Sequence, residues 1–445
     1  MFNTKFYLLA VLPLILMACE ITLDEEKVEN KASKTVVMKD TAPAVKKIDL
    51  SVKLPKPYAT KAVINFSKVI DWPAGVTPKA PEGFVVTKFA DGLNNPRWIY
   101  VGPNGDVFVS EANKTAAKVV EGFKTVFKPK SKSANRITMF RDTDKDGIFD
   151  LRETFLDKLN QPFGMLILGN YFYVANTDGV LRFPYKVGET YIRSTGVKIL
   201  DLPKGGYNNH WTRNIIANEK GTKIYVSVGS GSNVAEHGMG NEIRRANILE
   251  INPNGSGEKI YASGLRNPVG MDWAPGTHTL WTAVNERDNL GDDLVPDYIT
   301  GVKKGAFYGW PFSYYGKHED PRRKGERPDL VKKAIVPDVP LGSHTASLGL
   351  VFYKNKMFPA RYRNGAFIGQ HGSWNRSELT GYKVIFVPFS GGQPSGRPED
   401  FLTGFIADTS KNKVYGRPVG VAVLQDGSLL VADDASNIIW KISKK

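Results

Sequence analysis

One short pattern recurs six times along this chain: a turn built from Gly, Asn and Pro, followed within a few residues by a β-type apolar run. Gly92-Leu-Asn-Asn-Pro-Arg-Trp-Ile leads to Asp106-Val-Phe-Val-Ser110, and Lys158-Leu-Asn-Gln-Pro-Phe-Gly-Met leads to Tyr171-Phe-Tyr-Val-Ala175. Gly206-Tyr-Asn-Asn-His-Trp-Thr-Arg precedes Ile224-Tyr-Val-Ser227, and Gly264-Leu-Arg-Asn-Pro-Val-Gly-Met precedes Thr279-Leu-Trp-Thr-Ala283. His344-Thr-Ala-Ser-Leu-Gly-Leu and Tyr415-Gly-Arg-Pro-Val-Gly-Val stand before Gly365-Ala-Phe-Ile-Gly369 and Ser428-Leu-Leu-Val-Ala432. Long helical periodicity is scarce between them. A hairpin-sized unit cannot bury its faces alone, but units rotated about one axis bury them against each other. The expected fold is therefore all-β, a six-bladed β-propeller, with Phe84 to Phe89 or Ile438 to Lys441 completing a shared blade. Insertions at 114–136 and 310–340 are the longest.

Rotation also brings equivalent positions to one mouth. The slot after each small turn holds Asn95, Pro96 and Arg97; Gln161; Asn209 and His210; Arg266 and Asn267; Thr345; and Tyr415 and Arg417. Several arginines and one histidine on an axis suit an anionic ligand with a transferable proton nearby. His210 stands where four of its counterparts, Pro96, Pro162, Pro268 and Pro418, are proline, and it is one of six histidines.

The chain begins with a basic start, Met1 to Lys5, and an apolar run, Phe6 to Met17, that is short for a membrane span. Leu16-Met17-Ala18-Cys19 resembles a bacterial lipobox, and Cys19 is the only cysteine. The expected organisation is a lipoprotein signal peptide over 1–19 with Cys19 lipidated, a flexible tether over 20–61, and the propeller over 62–445. A lone cysteine rules out an intrachain disulfide, so an exported fold of this kind stands on packing. The formal net charge is +15. Its basic residues are dispersed without a basic–aromatic stripe, which argues against nucleic acid and fits an anionic envelope surface or cofactor. The expected location is the cell envelope, with membrane contact through the lipid alone.

A separate stretch, Asp142-Thr-Asp-Lys-Asp-Gly-Ile-Phe-Asp-Leu-Arg-Glu153, fits D-x-D-x-D-G-x5-E throughout. Carboxylates at Asp142, Asp144, Asp146, Asp150 and Glu153, with the Ile148 carbonyl, are a hard-oxygen set suited to calcium. Its flanks read as strands, so a calcium-stapled hairpin is expected. The adjacent acids Asp292-Asp293 and Asp433-Asp434 point to opposite faces of a strand and form no obvious hydrolytic dyad. No Gly-x-Gly-x-x-Gly opens a βαβ unit, and no Cys-x-x-Cys-His is present.

Several motifs in order carry a family resemblance: His210 with Arg213, Gly264-Leu-Arg-Asn-Pro-Val-Gly, Val284-Asn-Glu-Arg-Asp, Gly291-Asp-Asp-Leu and Phe307-Tyr-Gly-Trp-Pro311. From about Pro81 onward the chain resembles the glucose/sorbosone dehydrogenases, and most closely the sorbosone branch. These are propeller enzymes that use pyrroloquinoline quinone (PQQ) and calcium. The resemblance implies that His210 takes the proton of the sugar's anomeric hydroxyl while hydride passes to the quinone. It implies substrate and cofactor contacts at Arg266 and Asn267, and cofactor contacts at Arg417 and Asp433. It places a cationic contact at Arg376 and a stacking ring at Trp374, and assigns the cofactor's calcium to the carbonyls of Asp288 and Asn289. Ser230 stands where the family's glucose oxidisers carry an aspartate, and the calcium turn lacks their Gly-Pro. The electron acceptor is expected to be a separate molecule. A metal-dependent sugar lactonase and a non-catalytic glycan- or protein-binding propeller are the alternatives.

Overall fold

The structure, a computed structural model, describes residues 48–114 and 132–445. The signal segment, Cys19 and most of the expected tether lie outside the described residues, as does 115–131 of the first insertion.

Six four-stranded sheets follow one another along the chain. The first runs Pro96–Val101, Val107–Glu111, Arg136–Arg141, Leu151–Leu156. The second is Met165–Leu168, Tyr171–Asn176, Gly179–Pro184, Val197–Asp201, and the third is Arg213–Ala217, Ile224–Val228, Asn247–Ile251, Lys259–Ser263. The fourth is Pro268–Trp273, Leu280–Val284, Pro296–Gly301, Val339–Ser343, and the fifth Ser347–Phe352, Ala366–Gln370, Lys383–Val387, Glu399–Leu402. In the sixth, Pro418–Val423, Leu429–Asp433 and Ile438–Lys444 take their last partner from the other end of the chain, Phe84–Ala90. That pair is antiparallel with Phe84 opposite Lys444, so both of the expected terminal runs complete the shared sheet.

The strands' chemistry explains their order. In five sheets the second strand is buried at every residue. A sheet covered on both faces needs continuous apolar runs rather than alternation, and Leu429-Leu-Val-Ala-Asp433 and Ile224-Tyr-Val-Ser-Val228 are such runs. The innermost strands of all six sheets line one channel of about 290 Å³, with Trp98, Met165, Ile215, Met271, Leu350 and Val421 among its walls. Packing there is tight enough to demand glycine: a Cβ on Gly349 would lie 2.1 Å from the Val419 carbonyl oxygen, and one on Gly369 2.3 Å. This is the architecture of a β-propeller.

Two peripheral segments reach the end of the channel where the turns gather. Leu54 packs on the apolar cluster of Leu290, Leu294 and Tyr315. The Tyr58 N–H donates to Leu290 O at 2.8 Å, and Thr60 Oγ1 accepts from Asp292 N at 2.7 Å. The insertion after Trp310 folds as a small hairpin, Ser313–Tyr314 with His318–Glu319, and a short helix, Pro328–Lys333. That helix has proline in its first turn with Asp329, and lysines in its last, as the macrodipole favours. Fully buried Arg287 locks the insertion down, donating to Pro311 O (3.1 Å), Ser313 O (2.7 Å) and Asp320 Oδ2 (3.1 Å).

Candidate functional site

The side chains of interest sit at or just before the start of an innermost strand. Arg97 is the second residue of Pro96–Val101, His210 lies three residues before Arg213–Ala217, and Arg266 and Asn267 immediately precede Pro268–Trp273. His344 and Thr345 precede Ser347–Phe352, and Arg417 precedes Pro418–Val423. The repeat thus delivers them to one end of the channel, as rotation requires.

His210 is half-buried. Its Nδ1 lies 2.9 Å from both Ser230 O and Ser230 Oγ. The Ser230 hydroxyl donates its own proton to Ser232 O at 2.7 Å, so both Ser230 oxygens present lone pairs to the ring. Nδ1 must then carry the proton, and Nε2 keeps a lone pair with no partner among the described residues. Burial, then the Arg266 cation, holds the imidazole well below its ordinary value near 6.5, against the Ser230 carbonyl that raises it. The ring is neutral at neutral pH and poised to accept a proton at Nε2.

Gly229 fixes the distance between the histidine and its neighbour. A Cβ there would stand 2.6 Å from His210 Cβ and 2.4 Å from Asn267 Oδ1, so both side chains lie against the bare glycine backbone. Asn267 Oδ1 is buried without a hydrogen-bond partner. The Ser230 N–H donates to Arg266 O at 2.8 Å, joining the histidine's support to the Arg266–Asn267 turn. Arg266 itself is spent on protein: Nε donates to Asn233 O (3.1 Å), Nη1 to Glu286 O (2.5 Å), and Nη2 to Asn233 Oδ1 (2.9 Å) and Asp288 Oδ2 (3.1 Å). It shapes the 286–288 turn and depresses His210 electrostatically.

A second cluster stands beside the first. Arg97 is ion-paired to Asp434 and lies 5.3 Å over the Trp211 ring, next to His210. Asp434 Oδ1 accepts from His371 Nε2 at 2.8 Å. Burial would raise Asp434, but His371 and Arg97 hold it well below the usual carboxylate range. Burial and then Arg417 push His371 down to about 4, so it is neutral and donates through Nε2. Arg417 donates to His371 O (2.9 Å) and Gly372 O (3.0 Å), leaving Nη1 without a partner among the described residues.

Other expected site residues are placed differently. Asp433 is fully buried, with Oδ1 accepting from Arg417 N at 2.8 Å and Oδ2 from Trp72 and Trp440 at 3.3 and 3.4 Å. It orients Arg417 and has no oxygen left for a ligand, which corrects its assignment as a cofactor contact. Arg376 bonds Asp292 O (2.5 Å) and Asp293 Oδ1 (2.8 Å) and joins neither cluster. Trp374 stacks on Phe66 at 5.7 Å, so one ring face is already covered. The Asp288 carbonyl accepts from Asn233 Nδ2 (3.1 Å) and Arg322 Nη1 (2.9 Å), which fills both lone pairs. Asn289 is held through its own N–H on Asn375 Oδ1 at 2.8 Å. The expected pair of calcium carbonyls is not available as a pair.

Sequence reasoning missed Asp434, His371 and Arg322. Asp434 had been weighed as a hydrolytic acid, and only the turn of chain after Asp433 aims it at Arg97. Nothing in local spacing marks His371 or Arg322, since both meet their partners across more than thirty positions of sequence.

The acidic hairpin lies apart. Carboxylates of Asp142, Asp144 and Asp146 gather within 4.8 Å of one another between the expected strands, Arg136–Arg141 and Leu151–Leu156. Asp150 instead accepts from Thr143 N at 2.9 Å, and Glu153 sits in the strand opposite Met139, so neither joins the cluster as it stands. Ile148 uses its N–H on Asp146 Oδ1 at 2.7 Å.

A family model described as TrAA12-like matches residues 78–297 and 326–445. An uncharacterized protein of Borreliella burgdorferi is 29% identical over 379 residues, covering 82% of this chain and 90% of that protein. A pyrroloquinoline quinone-dependent pyranose dehydrogenase of Coprinopsis cinerea is 25% identical over 299 residues, 54% of this chain and 40% of its own length. The chain thus spans less than half of that curated relative. Among solved structures, the holo PQQ domain of the Coprinopsis cinerea pyranose dehydrogenase superposes with a TM-score of 0.67 at 19% identity, covering 86% of this chain and 100% of the domain. The Trichoderma reesei family AA12 enzyme gives 0.67 at 18% identity, covering 83% and 98%.

Proposed function

Because the chain belongs to the TrAA12-like family, we propose that it is a quinoprotein sugar dehydrogenase on a six-bladed propeller, oxidising an aldose or sugar aldehyde of the sorbosone type. Its kinship with PQQ-dependent sugar dehydrogenases supports sugar oxidation in general. The observation that carries the chemistry is the His210 tautomer: Nδ1–H held by Ser230, Nε2 bare, and Asn267 Oδ1 unsatisfied beside it.

The donor set fits PQQ. Arg97 and Arg417 present guanidiniums at the mouth, Arg97 Nε is buried without a partner, and Asn267 supplies an unspent carboxamide. The two arginines would hold the cofactor's anionic oxygens, while Asn267 Oδ1, an acceptor, would take a hydrogen bond from a substrate hydroxyl or a cofactor N–H. When bound, PQQ supplies the acceptor for the hydride that leaves the sugar's reacting carbon. The chain's own part is proton transfer. As a hydroxyl is oxidised to a carbonyl, His210 Nε2 takes its proton and Ser230 O, lying on Nδ1–H, steadies the imidazolium. A serine stabilises that charge less than a carboxylate would, which places more of the burden on the Ser230 backbone carbonyl. The guanidinium-rich ring favours this reading over a metal-dependent lactonase. In the cell the lipid anchor expected at Cys19 would hold the enzyme at the envelope, with a separate acceptor collecting the electrons.

The test is reconstitution. Purified protein given PQQ is expected to reduce a dye in the presence of aldoses or osones, and to be inactive without it. Ester hydrolysis without PQQ, or glycan binding without turnover under any condition, would displace the proposal.

The acidic hairpin is read as a structural calcium site, with Asp150 and Glu153 closing on the ion. Saturating calcium is expected to raise the unfolding temperature by about 3–5 °C, the effect of roughly 3–4 kcal/mol of ligand stabilisation on a fold of this size. Asp144→Asn/Asp146→Asn should abolish that rise, and an unchanged thermal curve would remove the site.

A further inference from the structure

The turn after the second strand of the fourth sheet is where the resemblance sets the cofactor's divalent ion. In this chain it is already bound by cations of its own. The Asp288 carbonyl accepts from Arg322 Nη1 at 2.9 Å and from Asn233 Nδ2 at 3.1 Å. Arg322 is not a wandering side chain. Its Nε and Nη2 clasp the two Asp320 oxygens at 2.9 and 2.8 Å, and Asp320 is fully buried and pinned again by Arg287 at 3.1 Å. Arg266 takes the Glu286 carbonyl at 2.5 Å and the Asp288 carboxylate at 3.1 Å, and His344 Nε2 binds the Gly291 carbonyl at 2.8 Å. The turn is stapled on every side by protein donors.

Calcium requires about six to eight oxygen ligands. A carbonyl whose two lone pairs are both engaged offers none, and the Asn289 carbonyl alone is a single ligand. An ion that displaced Arg322 would strip Asp320 of its bidentate partner, and the other carboxylates of the turn, Asp288 and Glu286, are already ion-paired to Arg266 and Arg287. At this point the oxygens that a dication would need are already engaged by protein donors.

We infer that the quinone site of this chain works without a divalent ion, the Arg322 guanidinium on the Asp288 carbonyl supplying the positive charge that the resemblance assigns to calcium. The inference rests on the quinoprotein reading above. The acidic hairpin, in another part of the molecule, is untouched by it.

The experiment is a titration of the full-length apo-protein with PQQ, followed by quenching of tryptophan fluorescence, in excess calcium chloride and in excess EGTA. The wild-type dissociation constants are expected to agree within about threefold. Arg322→Met opens the carbonyl and frees Asp320, so its affinity should become calcium-dependent, at least about tenfold weaker in EGTA than in calcium. Arg322→Lys, which keeps the charge, should stay indifferent to calcium. The same titrations in the Asp144→Asn/Asp146→Asn background remove any contribution of the hairpin. Wild-type affinity that falls by about tenfold or more in EGTA overturns the inference, as does an Arg322→Met protein whose affinity is unchanged and calcium-blind. Should Arg322→Met fail to fold, the wild-type pair of titrations decides alone. PQQ that binds under neither condition defeats the quinoprotein reading itself, and this inference with it.

Discussion

Replacing His210 by alanine is expected to lower turnover by about a thousandfold, the usual worth of a positioned general base, while leaving PQQ affinity within a few-fold of wild type. The separation follows from the two clusters. Arg97 and Arg417 are held by Asp434 and by backbone carbonyls, with no bond to the imidazole. Ser230→Ala should cost far less, about tenfold, because the Ser230 carbonyl still accepts from Nδ1–H at 2.9 Å. The pH profile carries the same signature. The base must be neutral, and burial together with Arg266 keeps its pKa below 6.5. Turnover should therefore hold level as pH falls through 6.5 and decline only at the lower pKa. An alanine variant turning over within about threefold of wild type, measured by stopped-flow with bound cofactor, would remove His210 from the chemistry.

The parts of this molecule that could be read from sequence are those that repeat. The turn before each inner strand announced Arg97, His210, Arg266, Asn267 and Arg417, because rotation about an axis turns a sequence period into a shared mouth. The doubly buried second strands announced themselves as unbroken apolar runs. What did not show was chemistry made by pairs distant in the chain. Asp434 meets His371, 63 positions away, and Arg322 meets Asp288 from an insertion 34 positions on. Asp433 and Arg376 show the converse. Each has the residue type that the family resemblance expects at its position, yet its charge is engaged by protein partners, two indoles and two backbone N–H groups for Asp433, an aspartate and a carbonyl for Arg376. Residue type marks what a position can do, and the count of unspent donors and acceptors decides what it does.

Gly229→Ala tests that principle without deleting any functional group. The added Cβ would fall 2.6 Å from His210 Cβ and 2.4 Å from Asn267 Oδ1, so one or both must move. Gly229 lies at the end of a buried strand and is not in the left-handed region, so alanine adds no backbone strain there. Overpacking of this kind costs about 1–3 kcal/mol of stability, whereas displacing a proton acceptor by about 1 Å costs about a hundredfold in rate. Turnover should thus fall by about a hundredfold in a protein that still melts cooperatively. Gly349→Ala is the counterpart in the channel wall, its Cβ set 2.1 Å from the Val419 carbonyl oxygen. It should lower the melting temperature and leave the rate per folded molecule near wild type. If Gly229→Ala keeps full turnover, then the spacing of His210 and Asn267 does not govern the reaction, and the base must be sought elsewhere on the ring.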